Sequence, residues 1–176
     1  MEKQQTTQYV VLGVLMTEPK HGYEINKFLS IQLGNIWHVS TSQLYLLLQR
    51  LEVQGMVDSL VSSPGNRPPR KTISITAEGR SCFLSWVQSP TRHLRDLRIE
   101  FLTKLFFFRH LSLKNGDLLI RSQIQLLEDL REKIKTRRAK QHDTFRQLAL
   151  GFKLSQFEVC LNWVQTEARP FIEKIG

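Results

Sequence analysis

The chain has little cysteine, no long apolar run and no catalytic signature. Cys82 and Cys160, its only cysteines, stand far apart and outside any CxxC pair. This excludes a disulfide framework or a cysteine-based zinc site and leaves two reduced, core-type thiols. No hydrophobic stretch approaches the roughly 20 residues that a membrane span requires. The opening MEKQQTTQ lacks the charged and apolar regions of a secretion signal, so a cytoplasmic protein with no membrane partner is expected. His21, His38, His93, His110 and His142 are scattered, no two at the helical spacing of metal ligands. HExxH, GxGxxG, P-loop and GxSxG patterns are missing, as are paired carboxylates in an apolar setting. The expectation is a protein that is not an enzyme and holds neither metal nor cofactor.

What is present is the composition of an ordinary globular chain: 176 residues, 41% hydrophobic and 23% charged, enough for one or two small domains. A net charge of +9 and a pI near 9.9 favour an anionic partner, nucleic acid or a membrane surface, between which charge alone does not choose. The excess is uneven. Residues 1–90 carry eight Lys and Arg against six Asp and Glu, whereas residues 91–176 carry seventeen against ten.

Val11, Leu12, Leu15 and Met16 have the spacing of one helix face, with Thr7 as the cap and Pro19 as the stop. Tyr23, Ile25, Phe28 and Leu29 predict a second short helix, with Gly34 as a left-handed cap. Leu44, Leu47, Leu48 and Leu51 follow i, i+3, i+4, i+7 and predict a third over Thr41 to Val53, ended by Gly55. MVDSLVSS and KTISIT alternate around PGNRPP, the pattern of a hairpin with a stiff tip. Cys82, Phe83, Trp86 and Val87 resume helical spacing until SPTRH breaks it. The domain boundary is expected near Ser89 to His93, giving domains 1–90 and 91–176. The second half shows no strand signal.

Three helices, a hairpin and a helix within about 90 residues is the order of a winged helix-turn-helix, in which the second helix of the turn enters the DNA major groove. The predicted fold is therefore mainly α with a small β-hairpin, an N-terminal winged helix followed by an all-helical dimerisation domain. The leucine stripe leaves Ser42, Gln43, Tyr45, Leu46, Gln49 and Arg50 pointing away from the core. Gln pairs with adenine, Arg suits phosphate or guanine, and an outward leucine needs a thymine methyl or a protein contact. Arg67 at the hairpin tip, with Arg70 and Lys71 entering its second strand, would displace counterions from phosphate. Double-stranded DNA is the expected partner. The rival reading is a winged-helix protein-interaction module that uses Tyr45 and Leu46 without specific DNA binding.

The segments LGVLMTEPKHGYEI, STSQLYLLLQRLEVQGMV and NRPPRKTISITAEGR resemble the PadR family of bacterial transcriptional regulators, and fainter similarity continues through LRIEFLTKLFFF and LNWV. The resemblance implies an N-terminal winged helix, a helical C-terminal part that dimerises, and repression that is often released by a small molecule. It makes Ser40–Arg50, with Thr41, the recognition helix and Pro64–Lys71 the wing. His21, Gly22 and Tyr23 then match the start of the family's second helix, where a helix N-terminus meets phosphate. Many members carry other residues where this chain has Leu46, Leu47 and Gln49, which implies different base preferences or weaker affinity.

In the second half, Asn115 and Gly116 mark a turn before a long charged helix in which Ile120, Ile124, Leu127 and Ile134 approximate a seven-residue repeat. These are the candidate homodimer contacts. REKIKTRRAK reads as a solvated face laced with Glu and Lys pairs. Leu154, Phe157, Leu161, Trp163 and Val164 form another apolar face. The aromatics, Trp86, Phe101, Phe108 and Trp163 among them, either line a pocket for a small aromatic or hydrophobic effector between the domains or form domain core and dimer seam.

Overall fold

A computed structural model describes residues 2–34, 37, 39–62 and 70–175 and divides the chain into two units, Met1–Val87 and Gln88–Gly176. Among the described residues it is helical with one three-stranded sheet. Among the described residues, no helix is long and apolar enough to cross a membrane.

The first unit is built around α1 (Glu2–Val14), whose Val10, Val11, Leu12 and Val14 are fully buried. Thr7 lies inside this helix and is not its cap. Glu, Lys and Gln before it are good helix formers, and they extend the helix towards the terminus. Then come β1 (Lys20–His21), α2 (Gly22–Gln32) and α3 (Thr41–Val53). The hairpin strands β2 (Val57–Ser62) and β3 (Arg70–Ile75) follow, and α4 (Ala77–Gln88) completes the unit. β2 and β3 pair antiparallel from Val57↔Ile75 to Ser62↔Arg70. β1 adds to the other side of β3 through Lys20↔Ile73 and His21↔Thr72, so the order is β1-β3-β2. This third strand was not expected: two residues carry no alternation to read.

Two glycines explain the turns. Gly55 has φ +69°, and its N–H bonds the Glu52 carbonyl (3.0 Å) while that of Met56 bonds the Leu51 carbonyl (2.9 Å), the paired bonds of a left-handed helix end. Gly34, expected to play the same part after α2, does not adopt positive φ; a Cβ there would collide with the Ser30 carbonyl, so lack of bulk is what the position requires. Thr76 joins the end of α3 to the start of α4. Its hydroxyl donates to the Gly55 carbonyl (2.7 Å) and accepts from the Gly79 N–H (3.0 Å). Gly79 is packed so closely on the Met56 carbonyl that no side chain fits.

The second unit is all helical. A tight turn at Leu94–Asp96 and a widened π turn at Leu97–Phe101 lead into α5 (Leu102–His110). The widened turn re-registers the apolar face, so that Leu97, Phe101, Leu105 and Phe108 are all buried. Asn115, left-handed at φ 65°, starts α6 (Gly116–Ala139); Asp143 caps α7 (Thr144–Trp163) by accepting from the Arg146 N–H at 2.7 Å. A second π turn, Val164–Ala168, precedes α8 (Arg169–Ile175).

Lys104 is fully buried in this unit. Its ammonium donates to Glu100 Oε1 (2.7 Å), the Ser89 carbonyl (2.9 Å) and Thr91 Oγ1 (3.4 Å). Gln123 of α6 holds the Thr91 backbone on both sides, accepting from its N–H at 2.7 Å and donating to its carbonyl at 3.1 Å. Burial pushes the Lys104 pKa below the usual lysine value, and the Glu100 carboxylate opposes that shift.

Candidate nucleic-acid interface

The leucines at 44, 47, 48 and 51 form the buried face of α3. Thr41, Ser42, Gln43, Tyr45, Leu46, Gln49 and Arg50 are all exposed. The start of the helix is fixed by a reciprocal capping box: Ser40 Oγ accepts from the Gln43 N–H, and Gln43 Oε1 accepts from the Ser40 N–H, each at 3.3 Å. Asn26 of α2 donates to Thr41 Oγ1 at 3.1 Å. Ser40, Thr41 and Gln43 thus hold α3 in place, whereas Ser42, Tyr45, Leu46 and Gln49 compose its outward face.

Beside that face, His21, Tyr23, Tyr45, Gln49 and Lys71 come together around a groove of about 520 Å³, with Gly22, Leu48 and Ile73 completing its lining. Gly22 matters sterically: a Cβ there would stand 2.8 Å from the Tyr45 ring, so its absence lets the ring lie over the start of α2. The His21 and Tyr23 rings stack at 5.6 Å. His21 Nδ1 lies 3.1 Å from the Lys71 carbonyl oxygen and 3.4 Å from Thr72 Oγ1. Glu24 accepts from the His21 N–H at 2.7 Å. The histidine therefore ties β1 to β3, and the backbone donor that precedes α2 is already occupied by a carboxylate.

Lys71 is also engaged. Its Nζ is 2.6 Å from Glu52 Oε2, and Ser59 donates to Glu52 Oε1. The Lys71 hydrogen bond, then that from Ser59, holds the Glu52 carboxyl below its usual pKa. As pH falls through that lowered value, protonation of Glu52 releases the lysine. Neither Glu52 nor Asn26 was predicted for the site, because pairing between elements distant in sequence leaves no local signal. Arg70 lies in β3, paired with Ser62; Arg67 and the rest of the tip lie outside the described residues.

Residues 11–84, which span these elements, match the transcriptional regulator PadR-like family. The match lies within the first unit. The negative transcriptional regulator PadR of Bacillus subtilis is 25% identical over 118 residues, 67% of this chain and 65% of that regulator, so the match spans less than two thirds of the relative. Among solved structures, Bacillus subtilis PadR in complex with operator DNA matches 91% of this chain and 96% of that one, with 20% identity and TM-score 0.49. The smu.1604c protein of Streptococcus mutans matches 92% and 98%, with 25% identity and TM-score 0.47.

Outside the first unit the expected contacts fall differently. Ile120, Ile124 and Leu127 are buried within the single chain and Ile134 is half-buried, so the first three belong to the second unit's own core. Periodicity identified an apolar face without identifying what covers it. Uncovered apolar surface lies on α7, where Phe145, Leu148, Phe152 and Val159 are between 67% and 74% exposed. Their spacing of three, four and seven was legible in the sequence. Of the four expected effector contacts, Trp86 stacks on Tyr9 at 5.1 Å, and Phe101 and Phe108 are core. Trp163 lines a cavity of about 610 Å³ in the second unit, together with Leu105, Phe106, Arg109 and Phe171.

Proposed function

We propose that the chain is a dimeric, DNA-binding transcriptional repressor that inserts the outward face of α3 into the major groove and lays the hairpin along the adjacent backbone. The observation that carries this reading is the rigid presentation of Ser42, Tyr45, Leu46 and Gln49: four leucines hold the helix from behind and a capping box fixes its start. Repression is the sign supported by the negative regulator to which the chain is similar. The direct test is affinity for promoter DNA over a salt series, with Arg67, Arg70 and Lys71 each replaced by alanine. Each cation that pairs with a phosphate should, on removal, flatten the log–log salt slope by about 0.9. Lys71→Ala should have the smallest effect, because Glu52 already neutralises that cation. Unchanged affinity and slope in all three variants would favour the protein-interaction reading.

A single winged helix spans few base pairs, and a two-fold operator requires two recognition helices about 34 Å apart. The exposed α7 stripe is the surface that supports a homodimer. A dimer mass by light scattering at micromolar concentration, reduced to a monomer mass by Phe145→Glu with Phe152→Glu, is the expected result. A wild-type monomer mass removes the dimer. The cavity beside Trp163 and Phe106 is the seat for a small aromatic effector, and quenching of tryptophan fluorescence that disappears in Phe106→Ala would report its occupation.

A further inference from the structure

We infer that Leu46 reads the C5-methyl group of a thymine, making an apolar contact the sequence-specific element of an otherwise polar recognition face. The inference rests on the DNA-binding reading and names what that surface recognises.

Ser42, Tyr45, Leu46 and Gln49 stand at i, i+3, i+4 and i+7, a single helical stripe. Within it the two bulky residues are disposed differently. The Tyr45 ring is drawn over Gly22 and lines the groove beside His21 and Tyr23, with 48% of the residue exposed. Leu46 is not part of that groove lining and is 56% exposed. Its near neighbours along the helix, Ser42, Gln43, Gln49 and Arg50, are all polar and exposed. A protein-docking patch is contiguous and apolar. One branched aliphatic side chain among hydroxyl, amide and guanidinium groups matches a different target, a single methyl group surrounded by hydrogen-bonding base edges. In the major groove the thymine C5-methyl is the apolar feature that a side chain meets, and N7 and N6 of adenine lie within reach of an amide such as that of Gln49.

The position along the helix fits as well. Residues in the first turns of a recognition helix face base edges. Leu46 is in the second turn of α3, whereas Val53, also exposed, ends the helix two turns later.

The experiment uses the full chain and a duplex selected by it from total genomic DNA. Each thymine of that duplex is replaced in turn by uracil, which keeps the base pair and removes only the methyl. Uracil at one position per half-site should weaken wild-type binding about fourfold, the value of one methyl-sized apolar group. Leu46→Ala, which removes the contact from both protomers, should weaken binding to the thymine duplex by the square of that factor, roughly sixteenfold, bind the singly substituted uracil duplex as well as the thymine duplex, and keep the wild-type salt slope. Leu46→Met, which retains apolar bulk, should still distinguish thymine from uracil. Tolerance of uracil at every position, or thymine discrimination that persists in Leu46→Ala, overturns the inference while leaving DNA binding intact. Failure to enrich any sequence over bulk DNA overturns both.

Discussion

In the first unit, the polar side chains that hold the structure sit at the ends of elements and near the surface: the Ser40 and Gln43 box, Thr76 between α3 and α4, and Glu52 with Lys71. In the second, Lys104 is wholly buried and shares the core with Glu100, Thr91 and Gln123. The contrast concerns tolerance. Water can replace a missing partner at an exposed helix end, but a buried charge has no such recourse, so the two units should respond very differently to the loss of one polar group.

The largest effect is expected in the buried network. Glu100→Ala strands the Lys104 charge and should destabilise the full chain by about 3 kcal/mol, the lower end of the range for breaking a buried pair, because Glu100 retains some exposure. Lys104→Met removes the charge and keeps most of the volume, so it should cost less; denaturant unfolding of both variants orders them. Alkaline pH supplies a second reading. Since burial lowers the Lys104 pKa, the unfolded chain holds more protons than the folded one between that lowered value and the ordinary lysine value. The wild type should therefore gain stability relative to Lys104→Met as pH rises across that window, and lose the gain as pH falls back through the lowered value.

A smaller loss, about 1 kcal/mol, is expected for Thr76→Ala, which removes the α4 cap and the bond to the Gly55 carbonyl. Thr76→Ser should recover most of it. A loss as large as that of Glu100→Ala would break the comparison.

The same contrast governs what was legible in the sequence. The elements of the first unit could be read because the leucines of α3 and the strands around PGNRPP carry regular periods, and because Gly55 punctuates where left-handed geometry is needed. β1 was too short for a period. Lys104 was invisible, since a lysine between apolar residues reads as a solvated side chain until the π turn and α6 enclose it. The outward residues of α3 followed directly from the leucine stripe, but their commitments did not: Lys71 to Glu52, Thr41 to Asn26 and His21 to β3 depend on elements distant in sequence. For the long helices, an apolar stripe establishes that something covers it. Whether the cover is the chain itself, as at Ile120 and Ile124, or is still lacking, as at Phe145 and Phe152, is decided by tertiary packing.

The smallest effect on stability is expected where the surface is least committed. Gln49 is exposed on the outward face of α3, so Gln49→Lys should leave unfolding within about 0.5 kcal/mol of wild type. Its effect on DNA should be separable from that. A new cation at this position can pair with a phosphate, raising affinity for any duplex and steepening the log–log salt slope by about 0.9. Removing the amide should also lower the ratio of operator to random-sequence affinity, because a point charge cannot reproduce a bidentate bond to adenine. Higher affinity with lower selectivity and unchanged stability is the combination that distinguishes a face free to read bases from one that, like Lys104, holds its own unit together.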